Sequence, residues 1–317
     1  MTSPHPLSAA ALFSLKDWVA VVTGGGTGVG LMIAQTLAAN GAKVYITGRR
    51  AAVLETSARV HGSAERLGPV GGSMVPLVMD VTSKDSIRAV VAEIGEREGA
   101  VNLLVNNAGV WRSRPTAKPE DGPQAFGDAM FEEEMEENWQ QCEYAADAVW
   151  LWTAFLANAT SPYFVTAAFL PLLAKAKEGP TGRVGSVINN TSVSAFLRMT
   201  QNCQYSYNAS KAAATHLTRQ MAYDLSHESI NVRVNGLALG YFPSEMTTQA
   251  SNEENESAYA AERFQQMMAG FGAPTVKRMG SPQDIAGAVL MIATNDFMWG
   301  TITILDGGFA LNVPANM

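Results

Sequence analysis

Seven short apolar, β-branched runs recur along the chain with longer helical stretches between them, and few architectures accommodate that rhythm. The runs are "WVAVVT" (18–23), "KVYIT" (43–47), "VPLVMD" (75–80), "VNLLVNN" (101–107), "VGSVINN" (184–190), "NVRVNGLA" (231–238) and "TITIL" (301–305). A strand that is apolar on successive residues needs cover on both faces, as parallel sheets provide. The alternation therefore predicts an α/β fold, a doubly wound parallel sheet of seven strands. Helices are expected near 28–40, 50–66, 83–98, 145–177, 206–227 and 282–294. Asn40-Gly41 reads as a helix stop, and "SPQD" (281–284) as a start, with Ser281 as N-cap, Pro282 in the first turn and Asp284 near the positive end.

A chain of 317 residues fits one domain of this class, here 18–317 after an N-terminal arm at 1–17. An insertion at about 111–144 carries Pro115, Pro119 and Pro123, then "FEEEMEEN" (131–138), read as a solvated helix face, with a lid over the active site as the alternative. The net charge of −7 argues against nucleic acid as a partner, which calls for clustered Lys and Arg. The two cysteines and four histidines lack metal-ligand spacing and form no disulfide framework, so a reduced compartment without a structural metal is expected. "MTSPHPLSAAALF" has no basic n-region, which predicts a loose arm on a cytoplasmic protein rather than a signal peptide. Residues 148–174 are uncharged and long enough to span a bilayer, but Asn158, Pro162 and Pro171 interrupt them. A helix buried in a core or a subunit contact is expected there, and no membrane.

Chemistry enters with "TGGGTGVG" (23–30), which joins the first strand to the first helix and places glycines at Gly24, Gly28 and Gly30. Such a turn lets backbone N–H groups approach a pyrophosphate and aims a helix N-terminus at its charge. After the second strand, "ITGRR" puts Gly48 where an NAD enzyme would hold an acidic residue. Arg49 and Arg50 follow, and two guanidinium groups suit the 2′-phosphate of NADP better than NAD.

Together with "NNAG" (106–109), a serine at a strand end and "YNASK" (207–211), these motifs resemble the classical short-chain dehydrogenases/reductases from about Trp18 to Phe309. The resemblance implies a single Rossmann-like domain, a nicotinamide dinucleotide and a homotetramer or homodimer. It also implies that Asp80 and Val81 lie near the adenine, that Asn107 braces the sheet beside the cofactor, and that Asn158 holds a proton-relay water. "FPSEMT" (242–247) resembles the branch of rhamnolipid-type 3-oxoacyl-carrier-protein reductases and reductases of fungal secondary metabolism. Leu239-Gly240 departs from the family's Pro-Gly and leaves the local turn open.

Reducing a ketone takes a hydride from the nicotinamide and a proton from the protein. Tyr207 and Lys211, four apart on a helix, share one face and can address one ligand, whereas Tyr205 lies around the helix from Lys211. Tyr207 is therefore the expected acid/base, Lys211 its electrostatic tuner and a ribose ligand, and Ser192 the donor to the carbonyl. Ser194, 13 residues before Tyr207 where Ser192 is 15 before, is the alternative serine. The expected reaction is NADPH-dependent reduction of a small-molecule carbonyl, or the reverse oxidation of an alcohol. A dinucleotide-binding protein with a non-redox or regulatory role is the alternative. The Met, Phe and Tyr of 240–272 suggest a bulky apolar substrate, or else a subunit contact.

Overall fold

The computed structural model describes all residues except 1–4, 112–116, 132–153, 202, 249, 259–260, 270–271, 273 and 317. Its strands are β1 (Val19–Thr23), β2 (Lys43–Gly48), β3 (Ser73–Val78), β4 (Leu103–Asn106), β5 (Ser186–Asn190), β6 (Arg233–Leu239) and β7 (Ile302–Leu305). They form one parallel sheet in the order β3-β2-β1-β4-β5-β6-β7. The flanking helices are α1 (Gly28–Ala39), α2 (Ala51–His61), α3 (Lys84–Glu98), α4 (Ser161–Ala174), α5 (Tyr205–Leu225) and α6 (Pro282–Thr294).

Strand side chains alternate between two cores, which is why continuous apolar runs mark this fold. Ala20, Val22, Val44, Ile46, Leu103, Val105 and Ile188 face α1 and α6. Val21, Tyr45, Leu104, Val187 and Val234 face α3, α4 and α5. Helix α4 seats Val165, Phe169, Leu172 and Leu173 in the second core, and Thr166 on it accepts a bond from Asn106 Nδ2 at 2.9 Å. The continuous helix Leu156–Glu178 is long and apolar enough to cross a membrane by length and composition, yet half of that stretch is buried inside the protein.

The structure departs from the sequence reading at several ends. β3 runs from Ser73 to Val78 because it pairs residue for residue with Lys43–Gly48, and its edge position tolerates Pro76. The helix expected over 50–66 breaks at Gly62, after which Ser63 caps the separate turn Ala64–Leu67. The arm is anchored at its end: Leu15 is buried, and its N–H reaches the Asn40 carbonyl at 2.8 Å. Of the acidic run, only Phe131 lies within the described residues, at the end of the helix Pro123–Phe131. The segment 145–153 of the long predicted helix is outside them as well.

Candidate active site

The sheet reverses its winding between β1 and β4, and ligands of doubly wound sheets bind outside the strand ends at that point. A cleft of about 1310 Å³ opens there, lined by loops following β1 through β6.

At one end stands the glycine turn. Gly24 has φ +63°, and a Cβ on it would lie 3.1 Å from Ala108 Cα, so both the conformation and the space favour glycine. The α1 N-cap, Thr27, makes no side-chain cap, which leaves the first-turn N–H groups and the positive end of the helix facing the cleft. Asp80 and Val81 line the same wall, and Asp80 Oδ1 accepts from the backbone N–H of Thr82 at 2.9 Å and from its hydroxyl. Arg49 is exposed on the cleft rim without an ion-pair partner among the described residues. Arg50 instead forks onto Glu245, Nη1 to Oε1 at 3.2 Å and Nη2 to Oε2 at 2.8 Å. An uncapped helix end, a glycine cradle and a guanidinium without an ion-pair partner among the described residues fit a dinucleotide.

Arg50–Glu245 opens a seam that carries the segment after β6 across to α2. Arg66 forks onto Glu254 at 2.9 and 3.1 Å, and His61 Nε2 lies 2.7 Å from the Glu254 carbonyl. Asn255 Nδ2 donates to the Val53 carbonyl at 3.0 Å and to Ser57 Oγ at 2.9 Å. The Ser57 hydroxyl in turn donates to the Gly26 carbonyl at 2.7 Å, tying the seam to the glycine turn.

Asn107 sits between the two ends of the cleft. Its Nδ2 donates to the carbonyls of Thr23 at 3.0 Å and Gly24 at 3.2 Å, while its Oδ1 accepts from Asn190 Nδ2 at 2.8 Å. The tips of β1, β4 and β5 are thereby joined through one side chain. Asn190 Oδ1 and Thr191 Oγ1 are buried without a hydrogen-bond partner among the described residues, and both residues line the cleft.

At the other end the structure brings Ser192, Tyr207 and Lys211 together. Ser192 caps the turn Val193–Ala195, its Oγ accepting from the Ser194 N–H at 3.1 Å, and its hydroxyl also meets the Tyr207 phenol. Ser194 turns away, donating to Gln201 Oε1 at 2.7 Å. Burial raises the Tyr207 pKa, and the Ser192 bond partly offsets the rise. Lys211 Nζ lies 5.9 Å from the Tyr207 ring centroid and donates to the Asn190 carbonyl at 3.0 Å. Burial lowers its pKa to about 8. Desolvation, not the neighbouring ammonium, is thus the largest influence on the phenol in this structure. Tyr205 begins α5 outside the cleft lining and bonds Thr200.

Asn158 lies in a π-helical turn, Leu156–Thr160, ahead of α4. Its Oδ1 accepts from the Val110 N–H at 2.8 Å, and its Nδ2 donates to the Val110 carbonyl at 2.9 Å and to Ser210 Oγ at 3.0 Å. Its tie to the Tyr207 helix runs through Ser210, whose hydroxyl donates to the Tyr207 carbonyl at 2.8 Å. Gly109 separates Asn158 from Lys211: a Cβ there would stand 2.7 Å from Asn158 Oδ1 and 3.6 Å from Lys211 Nζ.

On the substrate side the lining is more polar than the sequence suggests. Trp111, Tyr241 and Met246 share it with Gln201, Gln204, Glu262 and Gln266. Phe264 and Met268, one turn apart on the helix Ala261–Ala269, bury instead in a satellite core with Val193, Met279 and Phe309. An amphipathic helix hides its apolar stripe, so composition overstated the apolar share of the pocket. Leu239 simply extends β6 opposite Leu305, and Gly240 closes on Asp306, where a Cβ would stand 2.7 Å from Asp306 Cα. Sequence reasoning gave no role to Gln201 or Glu245, nor to Ser210 and Gly109, although these last two lie inside the quoted "YNASK" and "NNAG" motifs.

A family model described as short chain dehydrogenase matches residues 18–255. The short-chain dehydrogenase/reductase PhomF of Diaporthe leptostromiformis is 37% identical over 316 residues, covering 98% of this chain and 97% of the relative. The rhamnolipids biosynthesis 3-oxoacyl-[acyl-carrier-protein] reductase of Pseudomonas aeruginosa is 30% identical over 305 residues, covering 94% and 98%. Among solved structures, the Pseudomonas aeruginosa RhlG/NADP active-site complex superposes with a TM-score of 0.69 at 28% identity, over 96% of this chain and 99% of that one.

Proposed function

The chain belongs to the short-chain dehydrogenase/reductase family of NAD(P)-dependent oxidoreductases acting on alcohol and ketone groups, and from that premise we propose that it is an NADPH-dependent ketoreductase. The observation that carries the proposal is the convergence of the Tyr207 phenol, the Ser192 hydroxyl and the Lys211 ammonium in the cleft that the glycine turn opens. The Arg49 guanidinium, unpaired among the described residues, and the NADP complex of the RhlG relative support NADP over NAD.

Gly24, Gly28 and Gly30 with the α1 N-terminus would hold the pyrophosphate, Arg49 the 2′-phosphate, Asp80 and Val81 the adenine, and Asn107, Tyr207 and Lys211 the nicotinamide side. The bound nicotinamide supplies the hydride. Ser192 orients the carbonyl by donating to its oxygen, and Tyr207 Oη gives that oxygen its proton as charge builds there. The product is a secondary alcohol, and the phenolate left behind is reprotonated from solvent past Lys211, whose ammonium stabilises it. Asn158 and Ser210 hold the Val110 backbone and α5 in register for that exchange. Trp111, Tyr241 and Met246 support a bulky ketone of secondary or fatty-acyl metabolism as substrate. The same reading takes the protein as a cytoplasmic homodimer or homotetramer.

The test follows NADPH absorbance with a panel of ketones: acetoacetyl-N-acetylcysteamine as the thioester, decalone as the bulky cyclic ketone, and a 5-keto sugar acid. Turnover of at least one, reduced about a hundredfold or more in Tyr207→Phe, supports the proposal. Binding of NADPH with no turnover on any of the three counts against it.

A further inference from the structure

Gln201 lies in the loop between the Ser192 turn and α5, in an unusual setting for its residue type. It is 5% exposed and holds φ +52°, with Cys203 two positions on at φ +64°. Two non-glycine residues in the left-handed region of one short loop are strained, and such strain persists only where surrounding contacts impose it. The loop is clamped from outside by the C-terminal residues, Arg198 N–H to the Pro314 carbonyl at 2.8 Å and Asn316 N–H to the Phe196 carbonyl at 2.7 Å.

The Gln201 amide uses both of its ends. Oε1 accepts from Ser194 Oγ at 2.7 Å and from Gln204 Nε2 at 2.6 Å, and Nε2 donates to the Tyr241 hydroxyl at 2.7 Å. Ser194 belongs to the turn after β5, Tyr241 follows β6, and Gln204 immediately precedes α5. One side chain therefore ties together the three elements that surround the place where a carbonyl meets Tyr207. The tie reaches the reacting groups in one further step, because the Ser194 N–H holds Ser192 Oγ at 3.1 Å and Ser192 meets the Tyr207 phenol. Ser192, Ser194, Gln201, Gln204, Tyr207 and Tyr241 all line the cleft.

We propose that Gln201 is a positioning residue for the carbonyl chemistry: it sets the Ser192 turn through Ser194 and the opposite wall through Tyr241, fixing the direction from which Tyr207 meets the substrate. The proposal rests on the ketoreductase reading above. A glutamine serving only to fill and satisfy the loop would affect stability and leave the reaction coordinate alone.

The experiment compares Gln201→Met, close in volume but without the amide, with Gln201→Glu, Ser194→Ala and Tyr241→Phe on the fastest ketone of the panel. Gln201→Met is expected to lower kcat about tenfold or more, with the NADPH Kd unchanged, since the residue stands at the substrate end of the cleft. It is also expected to move the upper limb of the kcat–pH profile upward, because a displaced Ser192 hydroxyl no longer offsets the burial of Tyr207. Gln201→Glu keeps the acceptor for Ser194 and is expected to recover part of kcat. Ser194→Ala should lose most of what Gln201→Met loses, and the double variant little more. An unchanged kcat and pH profile in folded Gln201→Met overturns the proposal. Should that variant not fold, full kcat in both Ser194→Ala and Tyr241→Phe overturns it equally. If Tyr207→Phe retains turnover, the ketoreductase reading itself fails; if Tyr207→Phe is inactive while the Gln201 variants are normal, only this inference fails.

Discussion

Arg50 and Glu245 stand 195 residues apart in sequence and meet as a guanidinium–carboxylate fork at the cleft mouth, while the adjacent Arg49 keeps its guanidinium unpaired among the described residues. Two arginines that look equivalent in "ITGRR" are thereby held differently.

The division has a measurable outcome. Arg49→Ala should raise the NADPH Kd by about tenfold or more and leave NADH nearly unaffected, as expected for losing a charged contact to the 2′-phosphate. Arg50→Ala should change the NADPH Kd by about threefold at most, because its guanidinium is already engaged in an exposed pair. Glu245→Gln releases Arg50 and should tighten NADPH. Calorimetric titration of the three variants with both dinucleotides checks the ranking.

Lys211 predicts a pH dependence of stability. Burial lowers its pKa from the ordinary 10.5 to about 8. Between those values the unfolded chain holds a proton that the folded chain has shed, so stability rises with pH across that window. Below about 8 both states are protonated, and the fold carries the full cost of the buried ammonium. Measured by urea unfolding, the stability of the wild type relative to Lys211→Met should increase by about 2 kcal/mol from roughly pH 7.5 to 9.5. A flat difference would mean that the ammonium is solvated.

Arg233, at the start of β6, is fully buried and donates to the carbonyls of Ile292 at 3.0 Å, Ala293 at 2.5 Å and Met298 at 3.2 Å. It satisfies the C-terminal carbonyls of α6, and burial takes its pKa down to about 10. Arg233→Leu strands those carbonyls and should cost about 3 kcal/mol in urea unfolding, with NADPH affinity unchanged below the new midpoint.

The sheet was legible because its central strands β1, β2 and β4 are continuous apolar runs buried on both faces, and the glycine turn because it lies between a strand and a helix. The spacing of Tyr207 and Lys211 was legible for the same reason, since helical geometry fixes it locally. Counting residues left Ser192 and Ser194 open, because the choice depends on a one-turn 3₁₀ segment that points one hydroxyl at Tyr207 and the other at Gln201. The π-turn around Asn158 and the left-handed backbone at Gln201 have no composition signal; tertiary contacts impose them. The seam was hidden for another reason, since Asn255 and its partner Ser57 are 198 positions apart and neither motif advertises the other.

That separation also dates the parts of the cleft during synthesis. At about 5–20 residues per second, the 195 residues between Arg50 and Glu245 emerge over roughly 10–40 s. Throughout that interval the glycine turn and α2 exist on the nascent chain without the segment that will lie against them. The dinucleotide wall is thus made early and closed late, and a chain halted before Glu245 would present Arg50 and the buried side of Ser57 to whatever else meets the ribosome's product.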